Sequence, residues 1–121
     1  MKSLSSLDLS ENEIGDLGVA EIVHSAKSYG MLEYLDLSRN NIGKSSHSIE
    51  CADAIHEYLA DNRIIEHFKI NWNNLRGQAA EKVIEGFLNC YSIRTICMNN
   101  NLLGVAYDGK QPPVCKMAEV I

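Results

Sequence analysis

The sequence predicts an α/β solenoid of about four stacked strand–turn–helix units, with short parallel strands on the concave face of a horseshoe arc and helices on its convex face. Two spacings carry this expectation. Eleven asparagines occur in 121 residues, and four of them, Asn12, Asn40, Asn73 and Asn101, close copies of one apolar frame at steps of 28, 33 and 28 residues. A second, helix-like pattern recurs in the other half of each copy at matching offsets. A fixed period of this size decides the architecture before local propensity does.

The first unit opens with Leu4-Ser5-Ser6-Leu7-Asp8-Leu9-Ser10-Glu11-Asn12-Glu13-Ile14, and the same frame returns over 32–42, 65–75 and 93–103. Alternation at Leu7 and Leu9 gives a short strand with those side chains inward and the residues between them outward. Successive copies then stack as a parallel sheet. Just after the strand the backbone turns, which leaves N–H and C=O groups without ladder partners. A carboxamide both donates and accepts, so Asn12, Asn40, Asn73 and Asn101 are assigned to a structural asparagine ladder.

Val19, Ile22, Val23 and Ala26 lie at i, i+3, i+4 and i+7, one stripe of a helix. Ala52, Ile55, His56 and Leu59 repeat the stripe, as do Ala80, Val83, Ile84 and Phe87, and finally Val114, Met117, Ala118 and Ile121. Pro112 and Pro113 stand where the last helix is expected to begin. Gly30, Asn62 and Asn89 are expected to end the first three helices, because Gly and Asn tolerate a left-handed cap. The units run approximately over 4–31, 32–64, 65–92 and 93–121, as a single domain or a fragment of one.

The frame resembles the leucine-rich repeat pattern L-x-x-L-x-L-x-x-N-x-L, and the resemblance covers essentially the whole chain. A strand plus a full helix per unit resembles the ribonuclease-inhibitor-like subfamily. The stretch Trp72-Asn73-Asn74-Leu75-Arg76-Gly77 looks most like its plain intracellular scaffold group. The resemblance implies a non-enzymatic, cytoplasmic protein-interaction module that binds a protein partner. Relatives with this repeat length imply two alternatives, a GTPase-activating protein of the Ran type and a ligand-sensing fragment of a NOD-like receptor. The acidic C-terminal segment expected of the Ran type is absent from the sequence.

The departures from regularity are local. The second unit is five residues longer than the first, with the excess within Lys44–Ser48, and the fourth carries six extra residues around Asp108–Pro113. Both insertions fall in the strand-to-helix loop, where added length costs little and emerges on one side of a solenoid. The first strand begins within three residues of Met1, and Ile121 falls inside an apolar stripe. Both ends read as uncapped, so self-association or further repeats through them are expected.

Composition narrows the function classes. Hydrophobic residues at 45% and charged residues at 22% describe a globular chain, not a disordered tail or a coiled coil. No apolar run approaches the ~18 residues of a membrane span, and no signal-peptide pattern follows Met1. A net charge of −5 without a basic stripe disfavours nucleic acid. Cys51, Cys90, Cys97 and Cys115 form no C-x-x-C pair and meet no histidine at zinc-ligand spacing, so no metal is expected. Free thiols and the lack of an N-x-[ST] sequon fit the cytoplasm. His24, His47, His56 and His67 occupy four different repeat phases. Neither a G-x-S-x-G elbow nor a phosphate loop occurs, so no catalytic residue and no cofactor is expected.

What remains is the outward face of the strands. Its residues are Asp8 and Ser10, then Tyr34, Asp36 and Ser38, then His67, Lys69 and Asn71, then Thr95, Cys97 and Asn99. Glu11, Arg39, Trp72 and Asn100 stand directly before the ladder asparagines and form a rim. These are the candidate partner-binding residues. Trp72 is the sharpest, because a rigid aromatic among polar neighbours is the residue type that dominates interface energetics. The same ring could instead pack on an adjacent loop as structure, and the sequence leaves both readings open.

Overall fold

Strands form where the inward leucine-type residues alternate. In the computed structural model, which describes residues 4–102, these are β1 (Ser6–Asp8), β2 (Tyr34–Asp36), β3 (His67–Lys69) and β4 (Thr95–Cys97). They make one sheet in the order β1-β2-β3-β4, parallel throughout. Leu7, Leu35, Phe68 and Ile96 are register partners, so the sequence steps of 28, 33 and 28 are the steps of the sheet. Each crossover carries a helix, α1 (Gly15–Tyr29), α2 (Ser48–Leu59) and α3 (Gly77–Leu88), with α1 packed on α2 and α2 on α3. This is the predicted α/β solenoid.

The core lies between the sheet and the helices. Leu35, Leu37, Phe68 and Ile70 from the strand side are fully buried against Val19, Val23, Ala52, Ile55, Leu59, Ala80, Val83 and Ile84 from the helical stripes. Truncating one of the larger aliphatic side chains here should cost about 2–5 kcal/mol through lost transfer energy and a cavity. Leu7 and Leu9 in the first unit are only half-buried, since β1 is the edge strand of the sheet among the described residues. The fourth helical stripe, Pro112 and Pro113, the 108–113 insertion and Cys115 lie outside the described residues.

The asparagine ladder holds the bends. Asn40 Oδ1 accepts from the backbone N–H groups of Asn12 (3.0 Å) and Ile14 (3.3 Å), while its Nδ2 donates to the carbonyls of Leu9 (2.9 Å) and Ser38 (3.2 Å). Asn73 repeats this one unit on, accepting from Asn40 and Ile42 N–H at 3.0 Å each and donating to Leu37, Ile70 and Asn71. Asn101 Oδ1 accepts from Leu75 N–H at 3.0 Å. Asn40 and Asn73 are buried, whereas Asn12 is exposed and its side chain donates to Leu9 and Ser10 in its own unit.

Helix ends depart from expectation in two places. Gly30 is the left-handed cap of α1 (φ 73°), its N–H donating to Ala26 at 2.9 Å. Asn62, however, does not take the left-handed conformation after α2; Asp61 does (φ 61°). The chain bends one residue early, which frees the Asn62 side chain to donate to Tyr58 O and accept from Ile64 and Ile65 N–H. Asn89 likewise caps α3 through its side chain, donating to Glu85 O at 2.9 Å with φ −101°.

The Lys44–Ser48 insertion is anchored by a residue that the repeat pattern does not mark. Asp16, at the start of α1, is buried and accepts from Gly43 N–H (2.8 Å), Ser45 N–H (3.0 Å) and the Ser45 hydroxyl (2.6 Å). A buried carboxylate is tolerated here because three donors face it. Gly43 (φ 97°) presses directly on the next bend, where a Cβ would collide with the Asn74 carbonyl. Only glycine fits both the conformation and the space.

Candidate functional site

The register turns the outward face into rows that cross the strands. One row is Ser6, Tyr34, His67 and Thr95, and the next is Asp8, Asp36, Lys69 and Cys97. A third, just past the strand ends, is Ser10, Ser38, Asn71 and Asn99. The rim row is Glu11, Arg39, Trp72 and Asn100.

The two strand rows are half-buried apart from exposed Ser6 and Asp8, and the polar groups in them largely meet one another. The Tyr34 and His67 rings are tilted with centroids 6.3 Å apart, and Lys69 Nζ lies 5.2 Å from the Tyr34 ring centroid. The Tyr34 hydroxyl beside Lys69 pushes the ammonium pKa above its ordinary value. Tyr34 also donates to Asp36 Oδ2 at 3.5 Å. Asp8 Oδ1 accepts from the Ser10 hydroxyl (2.6 Å) and N–H (2.9 Å), which hold its carboxyl pKa below the usual value. Thr95 and Cys97 complete the rows on β4.

The third row is knitted into the fold more than expected. Ser38, at an outward phase, is nonetheless buried, and its Oγ accepts from Asn71 N–H at 3.0 Å. Asn71 is half-buried and its Oδ1 accepts from Asn99 N–H at 2.8 Å. Ser10, bonded to Asp8, and the exposed Asn99 end the row.

The rim is the most exposed of the four rows. All four residues have left-handed backbones, with φ of 61° at Glu11, 57° at Arg39, 56° at Trp72 and 61° at Asn100. Trp72 is 53% exposed. The Arg39 guanidinium lies 4.7 Å from the Trp72 ring centroid, and Arg39 Nε is 3.6 Å from Glu11 Oε1. Trp72 thus touches the arginine of the preceding repeat while one face of the rim stays open to solvent.

Beyond β1 the half-buried Leu7, Leu9 and Ile14, with Leu4, Ile22 and Leu32, line an apolar groove of about 600 Å³ at the edge of the sheet. Among the described residues, no group of three or more His, Cys, Asp or Glu is placed to hold a metal ion, and no helix is long and apolar enough to cross a membrane. The Cys51 thiol is buried and pushed up to about 12 by burial, with the Asp16 carboxylate adding to the shift.

Repeat geometry and family comparison agree. Strand, bend and helix recurring in register define a leucine-rich repeat solenoid. A Leucine Rich repeat family model matches residues 1–23, and a second Leucine Rich Repeat model matches residues 31–52, which supports a leucine-rich repeat protein. No curated protein matches the chain.

Two features of the site escaped the sequence reading. The Arg39–Trp72 stack had a signal, since both residues fall at the same repeat phase in adjacent units, but spacing does not say which way a side chain leans. The left-handed rim had a weaker one: of its four residues only Asn100 is of a type that favours that conformation.

Proposed function

We propose that this chain is a non-enzymatic protein-interaction module of the ribonuclease-inhibitor-like kind, binding a protein partner across the outward strand face and its rim. Leucine-rich repeat domains commonly mediate protein–protein interaction, and one observation carries the reading to particular residues. Trp72 is held exposed at a position whose left-handed backbone (φ 56°) favours glycine or asparagine. A bulky side chain in that conformation costs about 1–2 kcal/mol, so local backbone preference does not account for it. An aromatic ring already stacked on Arg39 is pre-ordered for contact, the property that makes interface anchors effective.

Tyr34, Asp36, His67, Lys69, Thr95 and the rim residues Glu11, Arg39 and Asn100 surround that anchor, with Asp8, Ser10, Asn71 and Asn99 at the margins. Three free thiols among the described residues suit the reducing cytoplasm. The open groove beside β1 is where self-association or a further repeat would add a strand, and light scattering over a concentration range reports it. Ran-type GTPase activation and NOD-like ligand sensing rest on repeat resemblance alone.

The test is affinity capture from a cytosolic extract with the parent chain and Trp72→Asn, followed by titration of the protein identified. The expected outcome is a partner held by the parent and weakened by about 2 kcal/mol in the variant. Equal binding by both removes Trp72 from the site.

A further inference from the structure

The row Asp8, Asp36, Lys69 places two carboxylates on adjacent strands and an ammonium on the next. Like charges directly opposite one another destabilise a sheet. Among the described residues the ion pairs use Arg39, His47, Lys82 and Arg94, and none involves Asp8 or Asp36. Lys69 acts on both carboxylates through space but pairs with neither, its ammonium lying over Tyr34. The row therefore presents two carboxylates and one ammonium, none of them held in an ion pair.

Strands in a sheet lie about 4.8 Å apart, so the midpoint between Asp8 and Asp36 is about 7 Å from the Lys69 position. An extended chain puts side chains i and i+2 on one side at nearly that separation. We propose that the strand face recognises an extended protein segment with a Lys or Arg at i and an Asp or Glu at i+2, laid across the strands so that its cation sits between Asp8 and Asp36 and its carboxylate meets Lys69. The proposal rests on the docking reading above and adds the partner's chemistry. A segment of one charge sign gains at one end of the row and is repelled at the other, so charge pattern sets selectivity.

The experiment is a surface-displayed library of extended peptides in which positions i and i+2 vary among Arg, Glu and Gln, sorted with the labelled parent, Lys69→Glu and Asp36→Asn. Circular dichroism checks that each variant keeps the fold. The parent should enrich mixed Arg/Glu pairs about fivefold over Arg/Arg and Glu/Glu. Lys69→Glu should move the optimum to Arg/Arg, and Asp36→Asn should weaken the preference for Arg. Equal enrichment of all pairs, no retention of any peptide, or an unchanged optimum in Lys69→Glu overturns the proposal. Self-association of the parent abolished by Lys69→Glu would assign the row to a second copy and also overturn it. Charge-blind retention lost in Trp72→Asn sinks this inference alone, whereas charge-blind retention that survives Trp72→Asn counts against the docking site as well.

Discussion

The ladder column and the rim column run one residue apart through every repeat, yet they answer to different constraints. The ladder is asparagine four times, and at Asn40 and Asn73 the whole carboxamide is engaged by backbone from two repeats. The rim has one backbone conformation four times, but its side chains are Glu11, Arg39, Trp72 and Asn100. Where neighbouring backbone needs a particular side chain, the side chain stays constant. Where only the backbone angle is shared, the fold leaves the side chain free, and Arg39 and Trp72 stand there against local conformational preference.

The largest expected effect falls on the core behind both columns and sets the baseline for comparing them. Burial pushes the Cys51 thiol from an ordinary 9.0 to about 12 and the Tyr58 phenol from 10.0 to about 12. The folded chain therefore keeps protons that the unfolded chain releases near pH 9 to 10. Stability should be intact below pH 9 and fall as pH rises towards 12, by roughly 4 kcal/mol for Cys51 alone. Urea unfolding across that range measures it, and a flat profile would show the thiol to be solvated. A ladder variant should fail at lower pH than the parent, and a rim variant should not.

Next in size is the ladder itself. Asn73→Ala orphans the N–H groups of Asn40 and Ile42 and should cost roughly 3 kcal/mol. Asn12→Ala, at an exposed position whose side chain bonds only within its own unit, should cost under about 1 kcal/mol. Equal losses in chemical denaturation would mean that the column does not depend on neighbours. The smallest effect belongs to the rim. Trp72→Asn relieves a left-handed bulky residue but loses the Arg39 contact, and the two are of similar size, so stability should change by less than about 0.5 kcal/mol. A loss above 2 kcal/mol would make Trp72 a structural residue and erase the distinction between the columns.

Strand register, helix stripes and ladder were legible in the sequence because each is a periodic demand that every repeat restates. The rest is not periodic. Asp16 serves one insertion in one unit, so no second copy announces it. Asp61 takes the left-handed bend in place of Asn62 because the Asn62 side chain has three backbone partners to serve. Ser38 sits at an outward phase, yet a hydroxyl is small enough to be drawn under Asn71. On the strand face the sequence located the candidate rows, while the turn of Lys69 towards Tyr34 and of Arg39 towards Trp72 depends on rotamers that spacing does not encode.

The ladder also has a direction. Asn40 supplies the acceptor for the bend at residues 12 and 14, Asn73 for the bend at 40 and 42, and Asn101 for Leu75. Each unit is completed by its successor. A nascent chain leaving the ribosome therefore cannot lock the bend at residues 12 and 14 until Asn40, 28 residues after Asn12, has emerged, and folding of these units during synthesis must trail elongation by one full period.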